Sequence, residues 1–358
     1  MKKTLLAIAV LAATSNVFAQ SSVTVYGVVD ASLENVKNDA SVTRVSSDNL
    51  ATSRLGFKGT EAIGDGLNAK FALETAVKAD TGAQGNTARF FDRAAWLGLQ
   101  GGFGELRLGR IDSSIGALAG DTALLGAQAY DDFKIAKTRA GDSYRRVDNA
   151  ITYLLPTFVP GLTAQLQYST AVGTSGTAGA ESSTAANGAA GKAYGLNAQY
   201  VAGPFSAGLG YLAAKDESAT AGDQKANATL VYAGYDFGML KLTGYFDSET
   251  KLTGDTDRFR LYGVKVAVPF TNDFVLTTSL SHAKNTGVAA TTGDNATFLT
   301  FKGVYTLSKR TALYGLLTVV DNAKNAELAI DKTSVPLTAD GTSSKHSRGL
   351  AFGIRHAF

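Results

Sequence analysis

Apolar residues recur at every second position in segment after segment of this chain, and the last nine residues, Leu350 to Phe358, carry the pattern most cleanly. Leu350, Phe352, Ile354, His356 and Phe358 share one parity; Ala351, Gly353, Arg355 and Ala357 share the other. Successive side chains of a strand point to opposite faces, so one face is large and apolar and the other is small or charged. A soluble protein that ended on such an uncovered strand would invite edge-to-edge aggregation. A closed barrel in a membrane resolves this, with lipid on one face, water on the other, and the last strand paired with the first.

The same period runs through the chain. Val23, Val25, Gly27, Val29, Ala31 and Leu33 oppose Thr24, Tyr26, Val28, Asp30, Ser32 and Glu34. Leu55, Phe57 and Gly59 oppose Arg54, Lys58 and Thr60, and Ala69, Phe71 and Leu73 oppose Lys70, Ala72 and Glu74. Similar stripes follow at Leu162–Tyr168, Tyr194–Tyr200, Leu240–Phe246 and Tyr262–Val268. Each stripe alone fits a half-exposed strand of a soluble sandwich, but their number favours a sheet that is two-faced throughout. Connections alternate in length. Short ones carry turn chemistry, as in Ile63-Gly64-Asp65-Gly66, Gly101-Gly102-Phe103-Gly104, Ala202-Gly203-Pro204, Asp236-Phe237-Gly238 and Pro269 to Asp273. Long ones are polar: 35–52, 78–89, 170–191, 214–226, 283–296 and 321–345. At about 10 residues per strand the chain holds on the order of 16 transmembrane strands. No linker or change of composition divides it.

The amino end changes the picture in one respect. Lys2 and Lys3, the apolar run from Leu5 to Ala13, and Val17-Phe18-Ala19 read as a cleaved signal peptide over residues 1–19. The run is far shorter than the roughly 20 residues of a membrane helix, so the barrel domain is expected at 20–358. Composition agrees with many short strands and turns: 39 glycines, 14 tyrosines and 18 phenylalanines stand beside one tryptophan. The absence of cysteine excludes a disulfide-stapled fold and a thiolate centre. A formal charge of +3, two units of it from Lys2 and Lys3, gives no basis for nucleic-acid binding. Only His282, His346 and His356 are available as histidines. No Gly-x-Ser-x-Gly elbow, paired zinc histidines or Lys-Ser/Thr phosphate loop accompanies them. The chain is not expected to be an enzyme or to hold a cofactor or metal.

Taken in order, several motifs resemble the Gram-negative general porins of the beta-proteobacterial type. They are Ser22-Val23-Thr24-Val25-Tyr26-Gly27-Val28-Val29-Asp30, Ser53-Arg54-Leu55-Gly56-Phe57-Lys58-Gly59, Gly102-Phe103-Gly104-Glu105-Leu106-Arg107-Leu108-Gly109-Arg110, Tyr235-Asp236-Phe237-Gly238, Leu307-Ser308-Lys309-Arg310 and the closing Gly353 to Phe358. The resemblance implies an all-β, antiparallel up-and-down barrel of 16 strands and a homotrimer. Its setting would be outer-membrane lipid and lipopolysaccharide, with a third external loop folded into each lumen. It implies passive diffusion of small hydrophilic solutes and ions, with a mild anion preference.

Between Arg110 and Arg146 the period of two disappears. Ile115 to Phe133 is rich in Ala, Gly and Leu, with Asp112, Asp121, Asp131 and Asp132 in and around it. Such a segment fits a loop packed on the inner wall better than one exposed to solvent. Arg54, Lys58, Lys70, Arg93 and Arg107 fall on water-facing parities around it, with Arg146 at its end and Glu74 and the aspartates opposing them. Pores select by width and lining charge. In the family, wall arginines at the constriction do this work, and Arg54, Arg93 and Arg146 match them best. Relatives often carry a further Arg where this chain has Thr152, in Asn149-Ala150-Ile151-Thr152-Tyr153.

Overall fold

Seventeen strand segments carry the alternation, and each pairs antiparallel with its neighbours into a single closed sheet. A computed structural model of the chain describes residues 22–122, 129–138, 144–172, 191–218, 222–250, 258–286, 294–338 and 345–358, without the side chains of 121–122, 215–218 and 222–226. The expected signal peptide, 1–19, lies outside the described residues. The strands are β1 (Ser22–Lys37), β2 (Ser41–Ser47), β3 (Arg54–Gly64), β4 (Leu67–Ala76), β5 (Ala94–Gly101), β6 (Gly104–Asp112), β7 (Arg146–Leu154) and β8 (Leu162–Ser169). They continue as β9 (Ala193–Ala202), β10 (Phe205–Ser218), β11 (Gly222–Asp236), β12 (Lys241–Glu249), β13 (Phe259–Pro269), β14 (Phe274–Lys284), β15 (Ala296–Thr306), β16 (Thr311–Asn322) and β17 (Lys345–Ala357).

β17 closes the cylinder on β1, from Val28 opposite Ala357 to Lys37 opposite Arg348. The seam is completed by Gly27 and Phe358, whose backbones exchange two hydrogen bonds of 3.1 Å. β2 and β3 both pair with β1, at Ala31–Lys37 and Ser22–Val28 respectively, so together they form one interrupted wall strand. The wall therefore has 16 strands. The interruption at 48–53 is held from inside. Ser53 Oγ accepts from Asp30 N at 3.0 Å, Asp48 Oδ1 accepts from Ser53 N at 2.7 Å, and Asp30 Oδ2 accepts from Ala51 N at 3.0 Å.

The two faces separate as the alternation predicts. On β16 Leu313 and Leu317 face outward, while Ala312, Tyr314, Leu316, Thr318 and Val320 are buried inside. On β17 Leu350, Phe352, Ile354 and Phe358 are exposed on the outer face. Among the described residues no helix is long and apolar enough to cross a membrane, so the crossing falls to the strands.

One connection differs from the sequence reading. The polar stretch 214–226, expected as a long loop, is a hairpin in which pairing continues from Ala214 opposite Ala226 to Ser218 opposite Gly222. Beyond the bilayer both faces of a strand meet water, so polarity stops reporting where the strand ends.

The loop after β6 turns inward and carries two helices, α1 (Ser114–Thr122) and α2 (Asp132–Ile135). Ser113 caps α1: its Oγ accepts from Gly116 N at 2.9 Å and donates to Tyr144 O at 2.6 Å. Ile115 and Leu118 fall on one face and are fully buried. Against them β10 presents Gly208 and Gly210, where an added Cβ would come within 2.8 and 3.0 Å of Leu118. Those glycines are the recess into which the loop packs.

Candidate pore constriction

The third loop crosses the lumen on polar ties spaced around the barrel. Ser114 Oγ donates to Tyr211 O at 2.7 Å on β10, and Asn197 Nδ2 of β9 donates to Ser114 O at 2.7 Å. Gln167 of β8 accepts from Ser114 N at 3.1 Å and donates to Thr152 Oγ1 at 2.9 Å. Farther on, Tyr130 Oη donates to Glu34 Oε2 at 3.1 Å on β1, and Thr318 Oγ1 of β16 donates to Tyr130 O at 3.1 Å. Asp131 caps α2 by accepting from Phe133 N at 2.8 Å. Phe133 packs on Tyr245 of β12 with ring centroids 5.6 Å apart, and the Tyr245 hydroxyl donates to Asp132. Several inward side chains of β10–β16 that meet this loop are accordingly apolar: Leu212, Leu230, Leu261, Phe298 and Leu316 join Ile115, Leu118 and Phe133 in one buried cluster. Full burial of each such side chain is worth roughly 1.5–3 kcal/mol, enough to hold a loop that water would otherwise solvate.

The lumen that remains open lies toward β3–β7, and there the wall is basic. Four carboxylates each hold two cations. Glu74 pairs with Arg93 at 2.5 Å and Arg54 at 3.5 Å. Asp112 pairs with Arg146 at 3.0 Å and Arg145 at 3.8 Å. Asp148 pairs with Arg89 at 2.8 Å and with Arg110, and Glu105 with Arg107 at 2.5 Å and Lys70 at 2.8 Å. At Glu105 the carboxylate side chain is 7% exposed against 25% for Lys70 and 22% for Arg107, so the cations meet the water. A cavity of about 790 Å³ opens between the third loop and the external loops, lined by eight basic side chains against six carboxylates.

The structure brings Arg93, Arg146 and Asp131 onto this cavity, with Arg54, Glu74 and Asp112 joined to them by the ion pairs above. Lys70 and Arg107 form a separate cluster nearer the short-turn end, where Arg107 lies 4.3 Å from the Trp96 ring centroid. Lys58 stands apart and exposed, its Nζ 5.1 Å from the Tyr26 ring centroid. Asp132 is buried against Tyr245 and ties the loop to the wall. Asp121 falls in α1, its side chain outside the described residues. Thr152 is fully buried and accepts a hydrogen bond from Gln167. His282 pairs with Thr297, His346 with Asp321 at 3.2 Å, and the outward His356 with Thr311.

Sequence reasoning missed Arg110, Arg145, Arg89 and Asp148. Counting by twos from Arg107 puts Arg110 on the lipid side, but the β6–β7 register shifts between Gly109 and Ile111 and turns Arg110 inward. Gly109 has φ +131°, and a Cβ there would meet Ala95 O at 2.2 Å. A glycine before an arginine that breaks parity was the available signal for this bulge.

The comparisons with known proteins point the same way. A family model described as Gram-negative porin matches residues 5–325. Outer membrane porin protein 32 of Delftia acidovorans is 34% identical over 374 aligned residues, covering 100% of both chains. The solved anion-selective porin from Comamonas acidovorans superposes with a TM-score of 0.75 at 27% identity, covering 95% of this chain and 100% of its own. A trimer form of OmpT from Vibrio cholerae, at 15% identity and a TM-score of 0.62 over 94% of this chain, shares the fold. A two-faced cylinder with a wet, charge-lined lumen lets small hydrophilic solutes and ions diffuse across the outer membrane, and this chain belongs to the Gram-negative porin family.

Proposed function

We propose that the channel prefers anions mildly and that its selectivity resides in wall cations held two to a carboxylate. The carrying observation is that Glu74, Asp112 and Glu105 each pair with two cations among the described residues, so basic side chains outnumber carboxylates in these clusters. The Comamonas relative is anion-selective by name, which supports the same sign. Magnitude argues for a mild effect. One residual charge about 7 Å from a permeating ion in bulk-water dielectric is worth about 0.6 kcal/mol, and screening over about 8 Å at physiological salt reduces it further.

In this reading Arg54, Arg93 and Arg146 set the field at the narrow level, with Glu74 and Asp112 orienting their guanidinium groups. Asp131 faces the same cavity from the loop. Lys70 and Arg107 guide ions at the short-turn mouth. The protein works without a covalent step, as a homotrimer in outer-membrane lipid and lipopolysaccharide, after export by a leader at residues 1–19. The Vibrio trimer form supports the assembly.

The test is the zero-current potential of the purified protein in a planar bilayer under a potassium chloride gradient. The wild type should show the sign of chloride preference, and R54Q/R93Q should move the potential toward potassium. A potential unchanged by both substitutions removes these residues from the selective region.

A further inference from the structure

The lipid face of β14–β17 carries a notch. Gly303 and Gly315 stand directly opposite each other on β15 and β16, and the row continues to Leu276 on β14 and Phe352 on β17. Two neighbouring positions without side chains leave an outward groove of about 400 Å³ bounded by Phe274, Phe301, Tyr305, Leu313, Leu350 and Phe352. Aromatic rings crowd its floor: a Cβ at Gly303 would meet Phe274 at 3.2 Å, and one at Gly315 would meet Phe352 at 3.3 Å.

Beyond the short-turn end of the groove, at Tyr305 and Leu313, lies the turn Leu307-Ser308-Lys309-Arg310. Ser308 Oγ accepts from Arg310 N at 3.2 Å and Thr311 N at 3.1 Å, which fixes the turn. Lys309 and Arg310 are exposed, and neither enters an ion pair among the described residues. His356 hydrogen-bonds Thr311 beside them at 2.9 Å. Asp273 also lies on this rim, beside the start of the turn, where its backbone carbonyl accepts from Thr306 N at 2.7 Å. Arg310 and Gly315 are about 16 Å apart along the strand at about 3.3 Å per residue, which for a strand tilted about 40° is about 12 Å along the membrane normal, within the near half of a hydrocarbon core about 30 Å thick.

We propose that turn and groove form a binding site for an anionic glycerophospholipid of the inner leaflet, with its phosphate at Lys309 and Arg310 and one acyl chain in the Gly303–Gly315 notch. The site rests on the membrane placement of the barrel, and none of its residues lines the lumen. Charge complementarity selects the occupant: the groove is apolar, its membrane-water end is cationic, and the spacing matches one leaflet.

Native mass spectrometry of the intact protein, released from bilayers of phosphatidylglycerol or of phosphatidylcholine, tests this. Wild type should retain phosphatidylglycerol over phosphatidylcholine. Replacing Lys309 and Arg310 with Gln should weaken that retention about fivefold for each cation removed. Gly315→Leu should reduce retention of both lipids by filling the notch, and channel conductance should stay at the wild-type value in every variant. Inorganic phosphate should not displace the lipid. Equal retention of the two lipids, or displacement by phosphate alone, overturns the proposal. So does a Gly315→Leu variant that loses its oligomer while keeping the lipid, because the groove is then a contact between copies of this chain. Wild-type conductance with lost lipid discrimination separates failure of this site from failure of the channel.

Discussion

Asp131 shows how one side chain can set a property of the pore. It caps α2 through Phe133 N and also lines the cavity. Burial, with the Asp132 carboxyl beside it, pushes its own carboxyl up to about 8. Below that value the group is neutral, and above it the loop gains a negative charge facing the wall cations. Chloride preference should therefore fall as pH rises from about 6 to about 9, and the Asp131 share of that fall is the part that a neutral side chain at position 131 removes. Reversal potentials recorded across this range check it, and D131N should reduce the slope; a slope unchanged in D131N assigns the titration elsewhere. The sequence named Asp131 from its place in an aperiodic, small-residue stretch, but it gave no way to separate it from Asp132, which is buried on Tyr245. Adjacent carboxylates differ by which neighbour the fold delivers to each, and Tyr245 lies more than a hundred residues away. Arg110 escaped for a related reason, because alternation is a local rule and the bulge after Gly109 suspends it.

At the scale of elements, the third loop stays in the lumen because wall glycines make room for it. Gly195 on β9 is the tightest of these contacts, and a Cβ there would stand 2.3 Å from Ser114 Oγ. Gly195→Val should push Ser114 off its bond to Tyr211 and lift the start of α1 from β10. Overpacking of this kind costs about 1–3 kcal/mol, which a membrane barrel with a continuous strand ladder tolerates. Single-channel conductance should rise while the barrel remains folded and inserted. Unchanged conductance would mean that α1 does not limit the pore. The strands themselves were legible from period and turns, since lipid on one side and water on the other impose opposite demands on alternate residues. The inner face was less so: Leu212, Leu230, Phe298 and Leu316 point inward yet are apolar, because they meet the loop and not water. Alternation assigns a side and says nothing of what waits there.

For the whole molecule, everything turns on closure. The Gly27–Phe358 backbone pair and the register from Val28 to Lys37 leave no unpaired edge at the seam, as a hydrocarbon environment requires. Inside that cylinder the loop occupies the β9–β16 side and leaves a basic, hydrated passage along β3–β7. The most direct test is single-channel recording of the purified protein in a planar bilayer. The account predicts discrete, long-lived current steps that are ohmic at low voltage and grow in proportion to the potassium chloride concentration, as expected for a passage filled with bulk-like electrolyte. Correctly inserted protein that gives no steps, or a conductance that saturates at low salt, would contradict an open water-filled lumen.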